Sequence, residues 1–311
     1  MVSTTLRNTS KEVVDNVSDN NALLTFLKKR GNIRTEDGGY EIAIPLEYAE
    51  NSTTQRYSGF DPLDIGASDV ITSAKFDWCQ IALHVVASGR EIRLNSGENA
   101  MIKLAKAKAT NAKHTASNFL ATDIYSSGAS SNQIGGLGLL IGTDGTGTVG
   151  GFNSTTYTWW RNQFKEAAGT GTWSKSTIKG EMNALWYTLV RGTDKPDLLV
   201  SSHDFYAAYE EALQDNQRYQ SSSEASAGFE SLKYKSASII FDSNTNFATT
   251  AEKMYFINTK YLYLIQHKQA MWTQDDEKKP VNQDAVVVPM YWMGNLVVSN
   301  RSLQGVLIDA A

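Results

Sequence analysis

Residues 95–125 read NSGENAMIKLAKAKATNAKHTASNFLATDIY. The stretch has no proline, and its one glycine, Gly97, stands near the start. Asn95 with Glu98 three residues later is the pairing of a capping box, in which the two side chains take up free amides of the first helical turn. Ile102, Ala105, Ala109, Ala112, Ala116 and Phe119 then recur in steps of three and four, the spacing of one helical face. A helix of this length spans about 45 Å at ~1.5 Å per residue, whereas an average helix has only about 11–12 residues. A second stripe, Asn99, Lys103, Lys106, Thr110, Lys113 and Ser117, has the same period and is polar throughout. The pattern predicts a long spine helix that presents a small-residue seam to a sheet and a basic stripe to something anionic.

The chain around it has 311 residues, enough for one large domain or two small ones with a sizeable core. Its formal net charge of −4 excludes a chain that is basic throughout and binds nucleic acid by bulk charge. Seven tryptophans and fourteen tyrosines with only 20% charged residues suit large interfaces or a large aromatic core. Cys79 is the single cysteine, so no internal disulfide forms. It lies in the strand-like run KFDWCQIALHVV and reads as a small buried hydrophobe. No apolar run reaches the length of a membrane span, and the N-terminal residues lack a signal-peptide core. These features predict folding in a reducing cytosol.

Residues 1–20 are polar and read as an extended arm. NALLTFLKKR, 21–30, is a short amphipathic helix closed by Gly31. Six basic residues against three acids between Arg7 and Arg34 make this region locally basic. YEIAIPLEY, 40–48, alternates as an edge strand carrying Pro45. Residues 51–73 are long, polar and turn-rich, and are expected to form a protruding two-stranded hairpin tipped by Phe60, Pro62, Leu63 and Ile65. An isolated ribbon is marginally stable in water, so its apolar tip is expected to lie on a neighbouring chain. Arg56 and Tyr57 belong to the same contact. Helices are expected at 175–191 and, capped by Ser202, from 203 onward; strands at 196–201, 227–242 and 254–266; and a long apolar strand at 285–299 interrupted by Pro289 and Gly294.

Sites for chemistry are sparse. Gly145, Gly147 and Gly150 match G-x-G-x-x-G, but a dinucleotide site requires the motif to open a helix, and the following GFNSTTYTWW does not. Ser202, His203 and Asp204 are triad residue types, yet neighbours on one turn do not face each other as a triad must. The four histidines have no metal-ligand spacing. The sequence predicts no catalytic, cofactor or metal residues, and a structural or binding role.

The order of elements resembles the major capsid proteins of tailed bacteriophages, which share the Hong Kong 97-type fold. The resemblance is carried by IGGLGLLI at 134–141, GTVGGFNSTTYTWWRNQF at 147–164, PDLLVSSHDFYAAYEEAL at 196–213 and AEKMYFINTKYLYLIQH at 251–267. It implies an α+β chain with an N-terminal arm (1–35), an extended loop with flanking strands (36–90) and a peripheral-domain spine helix (91–130). A mainly axial domain (131–282) and a peripheral strand with the C-terminus (283–311) would follow. It also implies self-assembly into hexamers and pentamers of an icosahedral head enclosing double-stranded DNA, in a virion assembled in the host cytoplasm. Further implied partners are a separate scaffolding protein, a portal and a decoration protein, with no membrane. Lys103, Lys106 and Lys113 would face the DNA, and Lys28, Lys29 and Arg30 would add to that surface. The prototype's crosslink joins a loop lysine to an asparagine of another subunit. Residues 51–73 contain no lysine and Lys75 stands only at their base, so no covalent network is expected. Two other readings are a bacterial nanocompartment shell of the same fold and a soluble α/β enzyme with an unrecognised site.

Overall fold

The structure, a computed structural model, describes residues 22–94, 98–166, 176–214, 231–242 and 252–309. The arm before residue 22, the Asn95–Glu98 cap and the start of the helix expected at 175 fall wholly or partly outside these residues.

Two sheets organise the chain. The four-stranded sheet runs β1 (Ile33–Glu36), β12 (Leu262–Gln274), β13 (Ala285–Val298) and β4 (Cys79–Ser88). The six-stranded sheet runs β7 (Gln163–Glu166), β14 (Gly305–Ile308), β11 (Lys253–Ile257), β8 (Leu198–Ser201), β10 (Ala237–Phe241) and β9 (Ser231–Tyr234). In the second sheet, alternation along the strands fills two cores. Leu199, Ile239, Met254, Phe256 and Leu307 face the apolar stripes of α5 (Ile178–Leu189) and α6 (His203–Gln214). Leu198, Val200, Ile240, Tyr255 and Val306 join the larger core shared with the four-stranded sheet. β8 is buried at every position, as its unbroken apolar run requires.

The spine helix is α3, Glu98–Asp123. Ala109, Ala112 and Ala116 are buried, as the spacing predicts, and Leu120 and Ile124 continue the seam. Phe119 does not: it is 51% exposed, because the buried line steps by four from Ala116 to Leu120 and turns Phe119 outward. Ser117, placed on the polar stripe, is buried.

Several expectations change. Residues 22–35, grouped with the arm, are built into the body. Leu23, Leu24 and Leu27 of α1 (Ala22–Arg30) are fully buried, and β1 pairs parallel with β12. The expected hairpin at 51–73 is shorter. Its strands are β2 (Ile42–Glu47) and β3 (Ile71–Phe76), and 48–70 carries no strand pairing beyond the Tyr48–Val70 rung. Pro62, Gly59, Gly66 and side-chain turns compete with the ladder there. β13 is not interrupted. Pro289 stands opposite His84 where the β12 ladder has already ended at Met290, a border position that tolerates a missing N–H. β14, grouped with β13 in the sequence, joins the six-stranded sheet. Ser202 precedes α6 but makes no cap: its buried hydroxyl has no partner among the described residues.

Because α1 is part of the core, Leu27→Ala is expected to lower the unfolding free energy by about 2–5 kcal/mol, the usual range for a buried leucine. Urea denaturation followed by tryptophan fluorescence measures it; a loss below about 0.5 kcal/mol would return α1 to a dispensable arm.

Candidate assembly surfaces

The extended loop has a rigid base and an unsupported tip. Ile42, Ile44, Leu46, Ala74 and Phe76 form the buried face of the ribbon. They meet the small hairpin of β5 (Thr148–Val149) and β6 (Phe152–Asn153). The Lys75 amide donates to the Gly150 carbonyl at 3.1 Å. A Cβ at Gly150, where φ is +60°, would come within 2.8 Å of the Ala74 side chain, so glycine is required there. The Tyr48 ring lies 5.8 Å from Trp159, within a cluster of Phe152, Tyr157, Trp159 and Trp160.

Beyond this base, short-range bonds shape the chain. The Thr53 amide and hydroxyl donate to the Asn51 side chain, the Ser58 amide to Asp61 and the Gly66 amide to Asp64. None of them buries the apolar residues. Phe60 is 106% and Ile65 93% exposed, and Tyr57 and Leu63 are exposed as well. Arg56 and Pro62 are also exposed. So all six residues expected at the contact are exposed on the loop. Lys75, at the base, is paired with Glu41 at 3.2 Å.

The lysines of α3 divide. Lys103, Lys106 and Lys113 lie on the helix, but their side chains fall outside the described residues. Lys108 is occupied: its Nζ donates to the Val86 carbonyl at 2.7 Å and to Glu91 at 2.9 Å. These bonds and those from Ser88 hold the Glu91 carboxyl down to about 2. Its contribution is therefore present across and above the ordinary carboxylate range and lost as pH falls through about 2. Of the basic residues before it, Arg30 pairs with Asp197 at 3.3 Å.

The glycine-rich segment is held by a residue that sequence reading overlooked. Arg301 is completely buried. Its Nε donates to the Leu140 carbonyl at 2.7 Å, one terminal nitrogen to Ser154 and the other to the Thr146 carbonyl at 3.1 Å. Burial pushes its pKa down to about 10, with Asp144 opposing the shift. Gly145, Gly147 and Gly150 all have positive φ and form turns, and no helix opens after them. The motif thus folds around a guanidinium from its own chain. No sequence signal pointed to Arg301 beyond an arginine in a turn, because its partners stand about 150 residues away.

The remaining chemistry is sparse among the described residues. His203 and Asp204 are exposed side by side while Ser202 is buried, so they form no triad. No group of three His, Cys, Asp or Glu side chains is arranged to hold a metal ion. The Cys79 thiol donates to the Gln133 carbonyl at 3.1 Å, and burial pushes it up to about 11, far from a reactive thiolate. No described helix is long and apolar enough to cross a membrane.

Arg301→Ala would remove the donor from three acceptors, two of them buried, the Leu140 carbonyl and the Ser154 hydroxyl, and a buried acceptor left without its donor costs roughly 1–3 kcal/mol. It is expected to lower stability by about 3 kcal/mol or more, read by urea denaturation, and to open residues 142–154 to proteolysis. Unchanged stability would remove the clamp.

No protein-family model and no curated protein sequence matches the chain. Solved structures do. The capsid asymmetric unit of cyanophage A-1(L) matches with a TM-score of 0.61 at 16% identity, over 89% of each chain. The capsid of an empty GTA particle matches at 0.57 and 13% identity, over 91% of this chain and 96% of that one. The SrpI encapsulin complex of Synechococcus elongatus matches at 0.58 and 9% identity, over 91% and 86%. About nine-tenths of the chain therefore follows one architecture, and the chain has the Hong Kong 97-type fold of phage capsid proteins.

Proposed function

We propose that this chain is the repeating subunit of a phage head: it assembles with itself into hexamers and pentamers of an icosahedral shell around double-stranded DNA. The observation that carries this reading is the extended loop. A monomer gains nothing from an arm whose tip holds Tyr57, Phe60, Leu63 and Ile65 in water, whereas a neighbouring copy offers the surface that buries them. The fold, matched to capsid chains over nine-tenths of the length, supports the same role. On this reading the chain has no catalytic activity. Its remaining partners are a scaffolding protein, a portal and a decoration protein, and it resides in the virion after assembly in the host cytoplasm.

Replacing Phe60, Leu63 and Ile65 together by serine is expected to leave folding intact, since none is in the core. Closed particles are expected to fall at least tenfold, counted by negative-stain microscopy of the purified protein. Normal particles from the triple variant would sink the proposal.

Lys103, Lys106 and Lys113 are proposed to meet packaged DNA through phosphates, which carries no sequence preference. Lys108, committed to Glu91, takes no part. Changing the three to glutamine is expected to leave empty-particle assembly unaltered and to lower the temperature at which full particles release DNA, most at low salt, because such contacts are screened within about 8 Å at physiological ionic strength. Identical release curves across salt concentrations would make these lysines a solvated face. The nanocompartment reading is favoured by the SrpI encapsulin match, and particles that hold a protein cargo and no DNA would select it.

A further inference from the structure

Three segments distant in sequence are tied together where the two sheets meet. They read KKRGNIR at 28–34, RGTDKPD at 191–197 and NTKYLY at 258–263. The first ends α1 and begins β1, the second is the turn between α5 and β8, and the third leads from β11 into β12. The Leu264 amide donates to the Asn32 carbonyl at 3.0 Å, and the Asn32 side chain donates to the Leu262 carbonyl at 3.1 Å. The Asp197 carboxylate accepts from the Thr259 amide at 2.8 Å and hydroxyl at 2.6 Å, and pairs with Arg30 at 3.3 Å. The Asp194 carboxylate accepts from the Tyr261 hydroxyl at 2.6 Å and from the Lys260 ammonium at 3.0 Å.

The surface assembled in this way is strongly basic. The three segments hold seven lysines and arginines, every one exposed, against two aspartates. Both aspartates are partly buried and engaged in the bonds that join the segments. The neighbouring turn at 299–304 adds Ser302, whose hydroxyl accepts from Arg191 at 3.3 Å, and no acid. A chain of net charge −4 thus gathers an excess of five positive charges in one place. Like charges drawn together repel and lower the stability of the free subunit. The negative end of the α1 dipole offsets Lys28, Lys29 and Arg30. Arg34 stands on a strand and Lys195 beyond the turn that follows α5, where no helix end balances them.

Aromatic rings set two of these cations in place. The Arg34 guanidinium lies 3.8 Å from the centre of the Tyr263 ring, and the Lys260 ammonium 5.1 Å from that of Tyr261. The Tyr263 hydroxyl donates to the Lys260 carbonyl. Cations already held over rings lose little freedom when an anion arrives, and a stacked guanidinium presents its edge to phosphate oxygens. Exposed basic groups interleaved with aromatic rings are the footprint of a nucleic-acid surface. Resting on the shell reading, we infer that this surface is a second contact for packaged DNA, in which Lys28, Lys29, Arg34, Lys195 and Lys260 meet phosphates of the duplex. It shares no residue with the α3 lysines.

The test treats full and empty particles of the wild-type chain with a small acetylating reagent and follows each lysine by mass spectrometry. Lys279, exposed and outside the surface, is the internal reference. Relative to it, Lys28, Lys195 and Lys260 are expected to react about fivefold more slowly in full particles than in empty ones, with the difference shrinking as salt rises. Equal rates in the two overturn the inference and leave the shell reading standing. Slow rates in both place the surface under protein and overturn it as well. Particles that hold no DNA overturn both readings. A second measurement replaces Lys28, Lys29 and Lys195, none of them in the core, by glutamine or by arginine. The glutamine variant is expected to release DNA from full particles at a lower temperature, and the arginine variant to match wild type, because phosphate contact follows charge. A glutamine variant that matches wild type or forms no particles, or an arginine variant that behaves like the glutamine one, overturns the inference.

Discussion

A buried polar joint holds the two sheets in one body. β11 leads into β12 and β13 into β14, and each pair of strands crosses from one sheet to the other at the same place. Backbone groups at such a corner leave one ladder before the next begins, and burial makes unpaired groups costly. Gln304, fully buried, resolves this by accepting from the Asn258 amide at 2.9 Å and donating to the Asn258 carbonyl at 3.0 Å. Asn32 donates to the Leu262 carbonyl at 3.1 Å, and the Asp197 carboxylate accepts from the Thr259 amide and hydroxyl. Strands β1, β8, β12 and β14 are all tied through this cluster, so their relative placement is set by hydrogen bonds with little slack.

The placement has a consequence for the extended loop. β13 passes from the joint to β4, and Arg301, just after β13, clamps the glycine-rich turns that carry the β5–β6 hairpin. That hairpin receives the ribbon through Gly150 and the ring cluster. A continuous chain of buried contacts therefore runs from the joint to the loop base, and it stops at Tyr48. From there outward, the apolar residues are left without a core of their own. A rigid base with an unsatisfied tip suits an element whose binding partner is another molecule, since pre-ordering the base lowers the entropy lost on association.

Charge is distributed along the same division of labour. Lys108, Lys75 and Arg30 are spent on Glu91, Glu41 and Asp197 within the subunit. Exposed pairs of this sort contribute little to stability, but they remove cations from the surface. The basic character counted along α3 therefore rests on fewer free lysines than the composition implies.

What the amino-acid order determined by itself was local. The spine helix, α1, α5, α6 and most strands follow from periods of 3.6 and 2 and from their glycine and proline borders, because such patterns involve neighbours within one or two turns. The protruding apolar tip was legible for the same reason: a turn-rich stretch with Phe60, Leu63 and Ile65 has too few neighbours to bury them. The tertiary structure alone decided the rest. It turned Phe119 outward and Ser117 inward, since the seam of α3 follows the surface it packs on. It assigned β14 to the other sheet and left β4 with an open edge, since strand partners stand up to about 230 residues apart. It also made Arg301 a buried clamp, since three acceptors brought together by folding, and not the residues beside it, satisfy its guanidinium.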